Sequence, residues 1–245
     1  MTFPADFYTA LHGGHPGDIE YYAQLCSGQE RVLELGCGNG RVTEAIAEVA
    51  GTVVGIETHS GMLSMAQART QTQPNVTILE ADMRCMGDWG HFHRIVVPFT
   101  GLFCLNRTEL IQCLRDCHNR LTPGGVLSFD VYPPDIYHES DVNHVPYEWR
   151  TDITILGQTW SVDEEIRVLR EQQEIEVSYR HYQSQDTGTV LGPTYTIRHH
   201  YVCSRDWSSL LYDAGFEDWV FWGNFEGDEP DEDSDVLVCW AQKEH

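Results

Sequence analysis

Between residues 31 and 131 short apolar runs alternate with amphipathic stretches, and this alternation leaves few folds open. Residues 31–35, 52–56, 76–80, 94–97 and 125–131 read as buried strands. Residues 41–49, 60–70 and 107–121 carry the spacing of helices with one apolar face. Strands that alternate with helices predict a parallel sheet covered on both faces. Right-handed crossovers then reduce the topology to a few choices.

The pattern changes after Pro133 and Pro134. From about Tyr147 to Val202 polar and apolar residues alternate, as in Ile175-Glu176-Val177-Ser178-Tyr179. Gly157 and Asp186-Thr187-Gly188 read as hairpin turns. About four antiparallel strands are expected there. A helix over residues 205–214 follows, with Gly215 at its stop position. Two more strands are expected near residues 219–222 and 236–241. The first thirty residues are rich in aromatics and histidine. Gly13-Gly14 and Pro16-Gly17 divide them into two short helical pieces, so residues 1–30 read as a helical lid segment.

The segment richest in chemistry is Val32-Leu33-Glu34-Leu35-Gly36-Cys37-Gly38-Asn39-Gly40-Arg41. A strand runs into a glycine-spaced turn and the turn into a helix. Gly36, Gly38 and Gly40 allow positive φ and let a ligand approach the backbone, and the helix start offers free N–H groups. A nicotinamide fingerprint is nearly present, but Arg41 stands where its third glycine would fall. The next strand ends in Glu57, about twenty residues on, where a carboxylate accepts from both hydroxyls of a ribose. The third strand ends in Glu80-Ala81-Asp82-Met83. Asp82 is placed to accept from an adenine amino group, with Met83 and Met62 as apolar walls.

These blocks, together with Val96-Val97-Pro98-Phe99 and Leu121-Thr122-Pro123-Gly124-Gly125-Val126-Leu127, resemble the class I S-adenosylmethionine-dependent methyltransferases in order and spacing. The resemblance implies an α/β, Rossmann-like, doubly wound sheet of seven mostly parallel strands in order 3-2-1-4-5-7-6. An antiparallel β insertion over residues 147–203 follows strand 5 and forms part of the acceptor site. The whole of 1–245 is then one methyltransferase domain. It implies S-adenosylmethionine as cofactor, with Gly36, Cys37 and Gly38 at its methionine moiety and Glu34 and Arg41 nearby. Glu57, followed by Thr58, would hold the ribose. Asp82, Met83 and Met62 would frame the adenine, the Val97 carbonyl would meet the methionine ammonium, and Tyr8 would close over the cofactor. Relatives mostly carry Asp at the position of Glu57, a longer side chain with the same two acceptor oxygens.

The expected reaction is in-line methyl transfer to the nitrogen or oxygen of a small molecule. The protein's task is then orientation and exclusion of water. His199 and His200 are the first candidates for a base. His12, His15, Asp130 and Tyr132 are further ones. A protein acceptor, or cofactor binding without methyl transfer, is the alternative.

Charge narrows the partners. Fifteen Lys and Arg face 38 Asp and Glu, a net charge of -23. Nucleic acid and anionic membrane are therefore disfavoured, and neither is expected as a partner, because both are bound through basic residues. An amine acceptor suits such a surface. The first 25 residues show no leader pattern and no run of about 18 apolar residues occurs, so the cytoplasm is expected. The eight scattered cysteines read as free thiols there. Cys113, Cys117 and His118 lack the further ligands of a metal site, so no metal is expected. A monomer or homodimer fits the length.

Overall fold

The computed structural model describes residues 3–185 and 188–244. In chain order α1 (Ala5–Leu11) and α2 (Asp18–Cys26) precede β1 (Arg31–Leu35), α3 (Arg41–Ala47), β2 (Thr52–Glu57), α4 (Ser60–Thr70) and β3 (Val76–Glu80). Then come β4 (Phe92–Val97), α5 (Arg107–Arg120), β5 (Leu121–Val131) and α6 (Asp135–Glu139). The long strands β6 (His144–Ile155), β7 (Gln158–Leu169), β8 (Glu174–Gln185) and β9 (Gly188–His200) follow, and α7 (Trp207–Ala214), β10 (Asp218–Trp222) and β11 (Leu237–Gln242) close the chain.

Two units are distinct. The first comprises Gly14–Pro133 with the chain from Ser204 onward. Its sheet has the order β3-β2-β1-β4-β5-β11-β10, which is 3-2-1-4-5-7-6 when the last two strands are counted sixth and seventh. β1 to β5 are parallel, and β11 runs antiparallel to both β5 and β10. Val32, Leu33 and Leu35 of β1, Ile95, Val96 and Val97 of β4, and Leu127, Phe129 and Val131 of β5 are all buried, as strands covered on both faces require. The path from β1 to β3 runs one way along the sheet and that from β4 to β5 the other. Right-handed crossovers therefore place α3 and α4 on one face and α5 on the opposite one. α2 packs beside α3, and α5 beside α7. The direction reverses between β1 and β4, so the crevice at their C-terminal ends is the natural ligand position.

Several boundaries shift from those read in the sequence. α3 stops at Ala47 instead of residue 49, because the chain turns back at Gly51, where a Cβ would lie 2.6 Å from the Glu30 carbonyl oxygen. β5 begins at Leu121, ahead of residue 125. Leu121 pairs with Phe92 and Val126 with Arg94, so the Thr122–Gly125 stretch bulges out of a continuous strand. α7 begins at Trp207, since Ser204–Asp206 forms only a single tight 3-10 turn. It ends at Gly215, whose φ of 106° accepts the left-handed cap.

The second unit is Pro134–Cys203 with the chain up to Gly13. The boundary falls within the expected lid segment, so α1 and α2 belong to different units. Four antiparallel strands lie in the order β6-β7-β8-β9. They begin at His144, slightly before the expected Tyr147. Leu156 (φ 50°) and Gly157 (φ 77°) make the first hairpin turn with the twist that two-residue hairpins need. The turn expected at Asp186-Thr187 lies outside the described residues. α6 was not legible, since five residues are too few to show a helical period.

Alternation divides this sheet into two faces. One carries ion pairs: Asp163 with Arg180, Glu165 with His144 and Arg167, and Glu176 with Arg198. The other is apolar and aromatic, with Val162, Val168, Ile175, Val177, Tyr179 and Tyr195 buried. α1 and Phe3 lie on that face. The Phe3 ring sits 4.8 Å from Tyr195, and the Phe7 ring 4.1 Å from His181. No helix among the described residues is long and apolar enough to cross a membrane, and all eight cysteines are free thiols.

Candidate cofactor site

The turn between β1 and α3 is shaped by its glycines. Gly36 and Gly38 sit at φ 66° and 55°, where a side chain is strained. A Cβ on Gly36 would press on the Met83 methyl at 3.2 Å, whereas one on Gly38 would meet nothing within 4 Å. The backbone at Gly38 is therefore open to a ligand. Gly40, at φ 80°, lets α3 start against α4; its Cβ would lie 3.0 Å from the Ala66 Cα. Cys37 is a staple. Its N–H donates to the Ile56 carbonyl at 2.9 Å, and its buried thiol packs at Gly55.

Glu57 ends β2 beside this turn. The N–H groups of Thr58 (2.8 Å) and His59 (2.7 Å) donate to its Oε1, and that of Gly38 (3.0 Å) to its Oε2. Three amides thus fix a carboxylate whose remaining lone pairs suit a vicinal diol. Met62 is buried one turn into α4, which is capped by the ring of His59 accepting from the Met62 N–H at 3.3 Å. Asp82 is engaged by Arg84: the Arg84 N–H donates at 2.8 Å and its guanidinium at 2.6 to 3.0 Å. An adenine amino group would have to share those oxygens.

Behind the turn lies a buried charge network. Glu34 is 2 % exposed and accepts from the Thr43 hydroxyl at 2.5 Å. Burial raises its carboxyl to about 7, against the pull of the Thr43 hydroxyl and the Arg41 charge. Arg41 makes two hydrogen bonds to Asp18, at 2.8 and 2.6 Å, and its guanidinium lies 5.6 Å from the centre of the Phe99 ring. Gly14 makes room for it; a Cβ there would fall 2.4 Å from Nη1.

β4 delivers the fully buried Val97 to the same end of the sheet. Beyond Pro98, Phe99 (φ 55°) and Thr100 (φ 60°) both adopt the left-handed region. For a bulky and a β-branched residue this costs about 1–3 kcal/mol each. The Asp130 carboxylate holds the turn, accepting the Phe99 N–H at 2.8 Å and the Thr100 N–H at 3.3 Å. Burial pushes this carboxyl upward, and the Tyr22 hydroxyl bound to it pulls the other way.

All the expected cofactor residues except Tyr8 thus belong to the first unit. Tyr8 lies on α1 in the second, 4.5 Å ring to ring from His12. His199 and His200 are also in the second unit, and adjacent strand residues point to opposite faces. His200 sits on the ion-pair face, 3.3 Å from Glu174. His199 is on the apolar face, paired across the strands with Ile175. Burial, then the His200 charge, lowers it to about 4. Burial first, with Arg150 and His199, lowers His12 to about 3. Asp130, a further base candidate, is instead fully buried and occupied by donors. His15 rests on Phe99 at 5.2 Å, and Tyr132 meets Phe103 edge-on at 5.1 Å. Asp18 and Tyr22 escaped the sequence reading because their partners lie far along the chain.

The methyltransferase domain family matches residues 32–125, the stretch that builds this site. Protein YqeM of Bacillus subtilis (strain 168) is 26% identical over 215 residues, 87% of this chain and 84% of that protein. Among solved structures, the CcbJ methyltransferase of Streptomyces caelestis aligns at TM-score 0.76 and 22% identity, over 99% of this chain and 100% of that one. CalS10, an amino pentose methyltransferase of Micromonospora echinaspora solved with S-adenosylmethionine bound, aligns at TM-score 0.75 and 18% identity, over 99% and 98%. Residues 32–125 thus carry a methyltransferase domain, and the strand order, the open glycine turn and the amide-clamped Glu57 are those of the class I S-adenosylmethionine-dependent methyltransferases.

Proposed function

We propose that the protein methylates the amino group of a small molecule. One observation carries this reading: the insertion has a buried aromatic face, with Tyr179 and Tyr195, where burial lowers His199 and the neighbouring His12 of the N-terminal segment below the usual imidazole range. His199 is lowered to about 4 and His12 to about 3. Arg150 on the same face is paired with Glu164. A surface of net charge -23 draws cations in, and among the described residues this aromatic face adds no unpaired positive charge to repel them. The full-length likeness to an amino pentose methyltransferase supports the same substrate class.

When bound, S-adenosylmethionine supplies a methyl group on a sulfur that leaves readily. Gly36, Cys37 and Gly38 offer backbone to its methionine end, with Glu34 and Arg41 behind them and the Val97 carbonyl opposite. Glu57, steadied by the Thr58 amide, takes the ribose, and Met62 and Met83 flank the adenine with Asp82 at its edge. Tyr8 and the insertion are the proposed sources of acceptor-binding residues. His199 is the catalytic candidate of this scheme, because the His200 ring is spent on Glu174 across the sheet. Held neutral, it would accept a hydrogen bond from the acceptor N–H and aim the nitrogen lone pair, and the proton of the methylated ammonium would pass to solvent.

The test is a panel of small amines, amino sugars among them, and their hydroxyl counterparts, read by mass spectrometry. Turnover is expected on amines alone; turnover on hydroxyls alone would overturn the assignment. His199→Ala should lower kcat about 100-fold on the amine, and His200→Ala should leave it within about twofold. Equal effects would remove His199 from the scheme.

A further inference from the structure

The scheme above gives no task to two of the most deeply buried polar side chains. Asp130, at the end of β5, and Tyr22, on α2, are both fully buried. The Tyr22 hydroxyl donates to Asp130 Oδ1 at 2.7 Å, and the Phe99 N–H donates to the same oxygen at 2.8 Å. The Thr100 N–H reaches Oδ2 at 3.3 Å and the Asp130 carbonyl at 3.1 Å. A single residue therefore grips two successive amides, both in a backbone conformation that neither Phe nor Thr adopts readily. Glycine or asparagine would fill such positions without strain. Strain held by so many bonds fixes the place of the neighbouring backbone.

That backbone begins at Val97 and Pro98, at the mouth of the β1/β4 crevice. The Phe99 ring beyond them meets the Arg41 guanidinium and the His15 ring. Arg41 is tied to Asp18, one helical turn before Tyr22 on α2. One helix thus braces the turn twice, through Tyr22 to Asp130 and through Asp18 to Arg41.

We infer that Asp130, aligned by Tyr22, is a positioning residue for the amino-acid end of the bound cofactor, because it sets the Val97 to Phe99 backbone that faces that end. The inference rests on the proposed placement of the methionine moiety between the glycine turn and β4.

Calorimetry with two probes tests it. S-adenosylhomocysteine carries the amino-acid end, and 5′-methylthioadenosine lacks it. Asp130→Asn replaces an acceptor by a donor facing an amide. It should weaken S-adenosylhomocysteine about tenfold, the loss of roughly one charge-assisted bond, and leave 5′-methylthioadenosine within about twofold. Tyr22→Phe, a milder change, should weaken only the first probe, by about threefold, and decides the matter if Asp130→Asn does not fold. Equal losses for both probes, or none, would reduce the pair to a structural role. Glu57→Ala is the control for the placement itself. It should weaken both probes, and if it weakens neither, the cofactor placement fails whatever Asp130 does.

Discussion

Glu34 shows how one buried side chain links the fold to pH. Its carboxyl is raised from 4.5 to about 7, chiefly by burial, so the native state holds its proton more tightly than the unfolded chain does. That contribution to stability is complete below pH 4.5 and is lost as pH rises through about 7. Glu34→Gln has no charge to bury. Relative to the wild type its stability should therefore gain about 2–3 kcal/mol between pH 5 and pH 7.5, measured by urea unfolding without cofactor. A difference that stays flat or shrinks would contradict the buried carboxylic acid. The position of Glu34 in an apolar strand made it legible in the sequence, and so were the glycines and Glu57, because a local motif carries them. Asp18 is different. Its partner Arg41 lies 23 residues away, and no spacing rule connects a helix before β1 to one after it.

At the scale of elements, α3 and α4 approach through Gly40. Gly40→Ala would add a Cβ 3.0 Å from the Ala66 Cα at a φ of 80°. Strain and overpacking together should cost about 2–4 kcal/mol, read as a lower midpoint in thermal unfolding. An unchanged midpoint would show that the helices can separate freely. The parallel strands were legible because each is a continuous apolar run, and α5 because its apolar residues recur at helical spacing; the reciprocal cap of Asn106 and Glu109 at its start is a finding of the structure. The bulge within β5 was not, since Thr122-Pro123-Gly124-Gly125 reads locally as a loop and only the pairing with β4 makes it part of a strand. The two faces of the insertion were legible as alternation. Which face takes His199 and which takes His200 was not, because the two side chains are chemically identical and only the register of the strand separates them.

For the whole molecule, the net charge of -23 gives the amine reading a kinetic signature. Attraction of a cation to an acidic surface weakens as salt screens it. The KM for a cationic amine should rise several-fold between about 0.05 and 0.5 M salt. A salt-independent KM would leave the charge as a solubility feature alone.

The most direct test of the central claim is transfer of a labelled methyl group. Pure protein is incubated with methyl-labelled S-adenosylmethionine and an extract of small molecules and macromolecules, beside Glu57→Ala, and the products are separated by size. The account predicts label in the small-molecule fraction, on nitrogen, and its loss in the variant. Label in protein or RNA, or transfer undiminished by Glu57→Ala, would contradict it.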